Sequence, residues 1–340
     1  MEQGNCGMKV LAWILGLTAA LWSGAWYLGA TAAERVSLAW LDQQAEAGWL
    51  ATYDSVETTG YPMRFDTRFS GLDLADPFTG WTWSADDFRL IQPAYQPQTV
   101  RAIWPREQIL TTDRQSLTIR ADLMQALLQL RPTDRFSLVR AEADLAGFDI
   151  RSNWGWTSAI DAARLTIADQ GDDTTRYDVT FDARGVTPAG EGLRLLDPDR
   201  DLPEAIERLT IDTVLAFERQ WDMRALEVAR PQITRIELAE LRAGWGGLAL
   251  RASGILQVDA RGIPTGDLAL SAENWRAMIA LGVNAGAIPG AMQATLENGL
   301  ALIAGLSGRP NDLDVTLSFS DGQAYLGPIP LGPAPRLTLY

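Results

Sequence analysis

Apolar and polar side chains alternate along many short segments of this chain, and this period of two constrains the fold more than any other sequence feature. In residues 176–184 (RYDVTFDAR) the apolar positions are Tyr177, Val179, Phe181 and Ala183, and the positions between them are polar. Successive side chains of a β-strand point to opposite faces, so the pattern predicts a strand with one apolar face. Such strands are typical of antiparallel sheets that turn one face to a core or a cavity.

The alternation recurs along most of the chain. Further examples lie at residues 64–74, 99–104, 115–121, 135–145, 209–217, 233–241, 248–258, 267–271 and 313–319. Residues 262–266 (GIPTG) have the composition of a hairpin connection between two of them. The closing segment 327–335 (GPIPLGPAP) has too many prolines to pair in the middle of a sheet, so we expect it to run along the outside. We therefore predict an α+β protein that is mainly β, with a large curved antiparallel sheet and a few helices.

Helical patterns interrupt the strands in three places. Residues 34–47 have apolar residues at helical spacing, and Gly48 follows as a C-cap. Residues 197–208 (DPDRDLPEAIER) begin with the acidic residues and prolines of a helix start, which predicts a short helix. Residues 274–306 predict two helices, because the glycines and proline of residues 286–290 must break the helix between them.

The N-terminal region contains a long uncharged run. No residue from Val10 to Ala33 carries a charge. A helix of this length is about 36 Å long, which exceeds the roughly 30 Å of a bilayer's hydrocarbon core. Trp13 and Trp26-Tyr27 lie near the two ends of the run, where aromatic rings favour the membrane interfaces. We predict a transmembrane helix, with residues 1–33 as the membrane anchor and residues 34–340 as a strand-rich domain outside the membrane.

A cleaved signal peptide is the alternative reading of this run, because Ala30-Thr31-Ala32 has the small residues of a cleavage site. The run is longer than the apolar core of a signal peptide, which favours a retained anchor. Lys9 precedes the run, whereas Glu34 and Arg35 cancel each other after it. By the positive-inside rule, the N-terminus lies in the cytoplasm and the domain in the periplasm of a bacterial inner membrane.

Histidine is absent and Cys6 is the only cysteine, which excludes many catalytic and metal-binding arrangements. Neither a Ser-His-Asp triad nor a His-ligated zinc site nor an intrachain disulfide can form. The carboxylates match no catalytic or calcium-loop motif, so we expect no enzyme, no metal and no cofactor. The formal net charge of −14 disfavours nucleic acid. The expected partners are the inner membrane, through residues 10–33, and lipid or another envelope protein.

The thirteen tryptophans include two pairs separated by one residue, Trp81-Thr82-Trp83 and Trp154-Gly155-Trp156. On a strand, each pair would place both indoles on one face. Such indoles either line an apolar groove or fill the core of the sheet. Together with apolar positions of the two most regular strands, they form the candidate apolar groove: Trp81, Trp83, Trp154, Trp156, Val179, Phe181, Ile211 and Leu215.

Several segments resemble the signatures of a bacterial protein family. They are residues 60–66 (GYPMRFD), 254–259 (GILQVD), 262–266 (GIPTG), 274–275 (NW) and 327–335 (GPIPLGPAP). In these segments the chain is similar to the uncharacterised, mainly alphaproteobacterial family catalogued as domain of unknown function 2125. The likeness extends from the anchor to the C-terminus, and it implies no catalytic residue.

A second, weaker likeness concerns the fold alone. A strand ending in Val258-Asp259, a glycine-containing turn and a second strand before a helix resemble AsmA-type envelope proteins. This resemblance implies an inner-membrane anchor, a long curved sheet with an apolar groove, and a part in lipid traffic. Two functions therefore stand as hypotheses: an envelope factor that binds or passes lipid along an apolar sheet face, or a scaffold without a ligand that assists assembly of another envelope complex.

Overall fold

The structure is a computed structural model that describes residues 4–133, 135–227, 229–286, 288–306 and 308–339. The chain forms two compact units, Met1–Thr118 (unit 1) and Ile119–Tyr340 (unit 2). Antiparallel strands dominate both units and helices are few, which confirms the prediction of a mainly β protein.

Unit 1 consists of one long helix and a small sheet. Its elements are α1 Gly4–Glu46, β1 Leu50–Thr52, β2 Ser55–Thr59, β3 Arg64–Asp76, β4 Trp81–Pro93, β5 Thr99–Ile103 and β6 Glu107–Thr111, followed by β7 Ser116–Arg120 at the unit boundary. The central strand β3 pairs with β4 on one side and with β1 and β2 on the other. Helix α1 packs along β3, where Leu41 joins Phe69, Leu72 and Leu74 in a buried cluster.

The predicted N-terminal helix is present and continues without a break through residues 34–46. It ends before Gly48, whose φ of +94° fits the predicted C-cap. In the part of the chain that the structure describes, no helix is both long enough and apolar enough to qualify as a membrane-crossing segment.

Unit 2 is an antiparallel meander in which each strand pairs with the next one along the chain. Its strands are β8 Leu123–Arg131, β9 Ser137–Ser152, β10 Thr157–Asp169, β11 Arg176–Thr187, β12 Ile206–Phe217, β13 Ile233–Trp245, β14 Leu248–Val258, β15 Pro264–Glu273, β16 Asp312–Ser320, β17 Gln323–Leu326 and β18 Ile329–Pro333. The two most regular predicted strands correspond to β11 and β12, and the predicted hairpin joins β14 to β15.

The helices of unit 2 are α2 Gly190–Leu196, α3 Met223–Glu227, α4 Trp275–Asn284 and α5 Gln293–Leu306, and a 3-10 turn at Gly290–Met292 precedes α5. The break between α4 and α5 lies where the sequence predicted it. The predicted tail also lies as expected, because β18 pairs with β17 at an edge of the meander.

The predicted helix at residues 197–208 is wrong. Helix α2 ends just before this segment, and β12 begins inside it, where Ile206 and Arg208 pair with β11. The Asp197 carboxylate accepts hydrogen bonds from the backbone N–H groups of Asp201 and Leu202, at 3.1 and 2.8 Å. Asp197 therefore stabilises a compact turn, and pairing with β11 outweighs the local helix signals.

Candidate functional site

Residues that lie directly opposite one another in unit 2 form rows that cross the meander. One row is apolar on every strand from β8 to β16: Ala126, Ala143, Leu165, Phe181, Ile211, Leu241, Ala252, Leu270 and Val315. The rows two residues to either side are also apolar, apart from Thr213 and Gly254 in one of them. Opposite residues of antiparallel strands share a face, so the three rows form one continuous apolar face.

The opposite face of the same strands is polar. The row next to the apolar one contains Gln125, Asp144, Arg164, Asp182, Thr210, Arg242, Arg251, Ser271 and Asp314. The guanidinium of Arg164 donates to Asp144 at 2.5 Å, and this hydrogen bond raises the pKa of Arg164 above its usual range. Arg164, Arg242 and Arg251 are exposed, so this face is the solvated one. Exposed ion pairs of this kind add little stability.

Helices α4 and α5 cover the apolar face over β14, β15 and β16. Their residues Trp275, Leu296 and Leu300 are 1%, 0% and 0% exposed and pack with Ala272 and Leu313 of the sheet. The indole N–H of Trp275 donates to the carbonyl of Pro310 at 3.1 Å, which satisfies the one polar atom of that side chain. Around Ala272 and Leu313 this part of the apolar face belongs to a buried core.

Between β10 and β13 the same face is only partly buried. Seven of its partly exposed residues, which we call the open patch, are Leu165, Ile167, Val179, Phe181, Ile211, Leu215 and Leu241. Among the described residues, unit 2 has one buried cluster around Leu296 and Leu300 and another around Leu256 and Phe319, and neither contains a residue of the open patch. The open patch is therefore an apolar surface that unit 2 leaves partly in contact with water, as binding surfaces commonly are.

A cluster of aromatic residues lies at one end of the open patch. Tyr177 is 1% exposed and lies edge-on to Phe217, which lies edge-on to Trp221, with ring centroids 5.8 and 5.6 Å apart. The backbone N–H of Trp221 donates to the Tyr177 hydroxyl oxygen at 3.1 Å. Burial raises the pKa of Tyr177, so the phenol stays protonated in the physiological range.

A cleft of about 480 Å³ lies at the other end of these strands. Trp154 and Trp156 line it on one side, and Leu193 and Arg194 of α2 line it on the other. Its size is that of a small-ligand site. The indole of Trp245 marks the same end of the sheet and donates to the carbonyl of Pro203 at 2.7 Å.

The structure brings together only part of the predicted groove. Val179 and Phe181 of β11 share a face with Ile211 and Leu215 of β12, and all four belong to the open patch. Trp154 and Trp156 lie in the turn between β9 and β10, where Trp154 is 59% exposed, and so they are not on a strand as the sequence analysis assumed.

The other two predicted groove residues belong to unit 1. Trp83 packs edge-on to Phe88 in the cluster beneath α1, at 5.7 Å between centroids, and its indole donates to the Gln108 side chain at 2.8 Å. Trp81 lies edge-on to Trp49 at 5.0 Å. These contacts agree with the alternative interpretation of the indole pairs, in which they fill a core.

Sequence reasoning missed three residues of the open patch, Leu165, Ile167 and Leu241. Strand β10 was not predicted, because Asp161 interrupts the apolar positions that include Ala163 and Leu165 and because Ala162 and Ala168 lie on the polar face. The run Arg164-Leu165-Thr166-Ile167 was the available signal. Leu241 ends a predicted segment, and its register opposite Ile211 was not readable without the pairing of β12 with β13.

Residues 60–66, one of the segments that resemble a family signature, form the part of unit 1 on which helix α1 packs; we call it the helix seat. The indole N–H groups of Trp22 and Trp26 donate to the carbonyls of Pro62 and Arg64, each at 3.0 Å. Gly29 permits the close approach, because a Cβ there would lie 2.5 Å from the Phe65 ring.

The end of the same signature holds a buried charge. Asp66 is 4% exposed, and its carboxylate accepts hydrogen bonds from the Arg89 guanidinium, which raises the pKa of that arginine. A buried carboxylate needs such a partner. The Arg89 guanidinium supplies that partner for Asp66.

Comparison with known proteins places the chain in a family. No curated protein and no solved structure matches it. One family model matches residues 26–335, which include the helix seat, the meander and the closing segment. The resemblance noted in the sequence is thereby confirmed: the chain belongs to the bacterial family described as "Uncharacterized protein conserved in bacteria (DUF2125)".

Proposed function

We propose that this protein binds the acyl chains of lipid on the open patch of unit 2 and that helix α1 holds it at the bacterial inner membrane, with both units in the periplasm. The observation that carries the proposal is the partly exposed apolar row of Leu165, Phe181, Ile211 and Leu241. Burying one acyl methylene contributes about 0.8 kcal/mol, so a chain laid along several of these side chains gains several kcal/mol.

The lining of the patch fits an acyl chain better than a polar ligand. Its side chains offer no hydrogen-bonding group, and the ion pairs Arg164–Asp144 and Arg208–Asp182 lie on the opposite face. The pair Arg131–Asp169 lies on the apolar face but beyond Ile167, beside Tyr177 at the end of the patch. A ligand with buried polar groups would lose hydrogen bonds with water and gain none there. The aromatic cluster of Tyr177 and Phe217 adds an apolar stop at one end of the patch.

The exposed surface of α1 supports attachment to a membrane. Every residue from Trp13 to Trp22 is exposed, including Leu15, Leu17 and Leu21 at 62%, 63% and 66%. An uncharged helix that presents leucines on all sides to water is unfavourable, and insertion into a bilayer removes that cost. Attachment would keep the protein at a source of lipid.

Lipid extraction and mass spectrometry of the purified full-length protein test the proposal. We expect bound lipid in the wild type and several-fold less in Phe181→Asp and Ile211→Asp, because a carboxylate opposes burial of an acyl chain. Thr180→Asp is the matched control, since it places the same charge on the polar face of the same strand and should retain the lipid. Circular dichroism would verify that each variant keeps its sheet.

Two results would contradict the proposal. A wild-type protein that carries no lipid after extraction in mild detergent would favour the scaffold without a ligand. Equal lipid content in Phe181→Asp and Thr180→Asp would show that bound lipid sits elsewhere, for instance around α1. Carbonate washing of membranes tests attachment separately, because an inserted helix resists it and a peripheral one does not.

A further inference from the structure

Two turns at one end of unit 1 present exposed amphipathic side chains. Tyr61 and Met63, 56% and 62% exposed, lie in the turn between β2 and β3. Tyr95, 66% exposed, lies in the turn after β4. The backbone N–H of Ala94 donates to the carbonyl of Met63 at 2.9 Å, so the two turns lie side by side. We call Tyr61, Met63 and Tyr95 the turn surface.

Helix α1 contacts the turn surface through Ser23 and Trp26. The Tyr61 hydroxyl is 2.7 Å from the Ser23 hydroxyl, and the Tyr61 ring lies edge-on to Trp26 at 5.3 Å. From Ala30 to Leu41 the helix is intermittently buried against the sheet, whereas residues 13–22 are exposed throughout. The helix therefore projects beyond the turn surface with its uncharged N-terminal part.

These contacts limit how deeply α1 can enter a bilayer. The uncharged run continues to Ala33, but immersion to that point would carry the backbone of the turn and the charged Arg64 and Asp66 into hydrocarbon. Unpaired backbone groups cost several kcal/mol each there. The hydrocarbon boundary must then lie near Trp22, at the level where Trp22, Trp26 and Tyr61 cluster.

We propose that the turn surface rests in the headgroup region of the bilayer and docks unit 1 on the membrane. This inference rests on the proposed attachment through α1. Tyrosine and tryptophan favour this layer because each has an apolar ring and one polar atom. The side chain of Arg64, 55% exposed, lies beside the same turn and supplies a cation for lipid phosphates.

Fluorescence of a labelled full-length chain in vesicles tests this docking. In a Cys6→Ser background, Met63→Cys is labelled with the environment-sensitive dye NBD and reconstituted in phosphatidylethanolamine–phosphatidylglycerol vesicles. Phe78→Cys is the matched control, because Phe78 is 83% exposed at the far end of β3, about 40 Å away along the strand. At position 63 we expect blue-shifted emission and quenching by lipid that carries a spin label in its headgroup. At position 78 we expect neither effect.

The outcomes separate docking from attachment. If the protein floats with the vesicles but the probe at position 63 behaves like the probe at position 78, docking is overturned and attachment through α1 stands. If the protein does not float with the vesicles, attachment fails and the docking fails with it. A quenched probe at both positions would also overturn the proposal, since it would indicate non-specific adsorption of the whole unit.

Discussion

The apolar face of unit 2 has two halves that are alike in sequence and different in surroundings. Over β14–β16, α4 and α5 pack on it, so that Ala272 and Leu313 of the sheet are buried and Leu296 and Leu300 of α5 have no exposed surface. Over β10–β13, side chains of the same kind in the same rows remain partly exposed. Alternation therefore decides which side of a strand is apolar, whereas the insertion between β15 and β16 decides where that face becomes a core.

The largest difference between the halves should appear on truncating leucines. Leu300→Ala should lower the free energy of unfolding by about 2–5 kcal/mol, because it leaves a cavity in the covered half. Leu241→Ala, the matched change in the open patch, should cost less than about 1.5 kcal/mol, because part of that side chain already meets water. Urea unfolding in detergent measures both. Equal losses would mean that the open patch is packed like a core.

The boundary between the halves is tested at Gly254, which lies between Leu238 and Leu268 in its row. Its φ is +150°, and a Cβ there would lie 2.2 Å from the carbonyl oxygen of Asp267. We expect Gly254→Ala to cost about 1–3 kcal/mol, because the backbone of two strands must move apart. Ser253→Ala, an exposed neighbour, should change stability by less than about 0.5 kcal/mol. Thermal unfolding of the two variants gives the comparison.

The aromatic end of the open patch should respond to alkaline pH. The raised pKa of Tyr177 means that the folded state holds its phenolic proton more tightly than the unfolded state, whose ordinary value is 10.0. This contribution is complete below pH 10.0 and is lost as the pH rises through the folded pKa. Tyr177→Phe should cost about 1 kcal/mol at neutral pH through the lost hydrogen bond. It should also flatten the decline in urea midpoint above pH 10.0, and an unchanged slope would contradict this.

The smallest effect is expected on the polar face of the sheet, behind the open patch, at acid pH. Hydrogen bonds from Arg235 and then Arg176 hold the pKa of Glu237 below its ordinary value of 4.5. The stability that Glu237 contributes is therefore present above pH 4.5 and is lost as the pH falls through the folded pKa. Glu237→Gln should give a shallower decline in melting temperature below pH 4.5, and an identical decline would contradict the assignment.

Elements in which apolar side chains recur with a single period, of a strand or of a helix, could be predicted from local sequence. The regular alternation of β11 and β12 and the proline-broken helix pair could be predicted from the residues themselves. Strand β8 could not, because Leu123 and Leu127 on its polar face hide the period of two. The turn after Asp197 was predicted as a helix, since its acidic residues and prolines satisfy both structures and only pairing with β11 decides between them.

The candidate site was predictable within strands and not between them. Val179 with Phe181 and Ile211 with Leu215 each follow from the spacing in one strand. The alignment of Phe181 with Ile211 and Leu241 depends on register, which long-range pairing sets. The cover by α4 and α5 likewise depends on where the helices pack, and no local pattern encodes that.

The sequential pairing of unit 2 has a consequence for how the chain acquires its structure. Each strand from β9 to β18 pairs with the strand immediately before it in the chain. Where the connecting loop is short, as between β13 and β14, it closes at little entropic cost, and local pairings of this kind favour fast folding. The strands of unit 2 can therefore pair one after another as the chain is synthesised, and a chain shortened from its C-terminus should lose strands one at a time, as linear repeat arrays do.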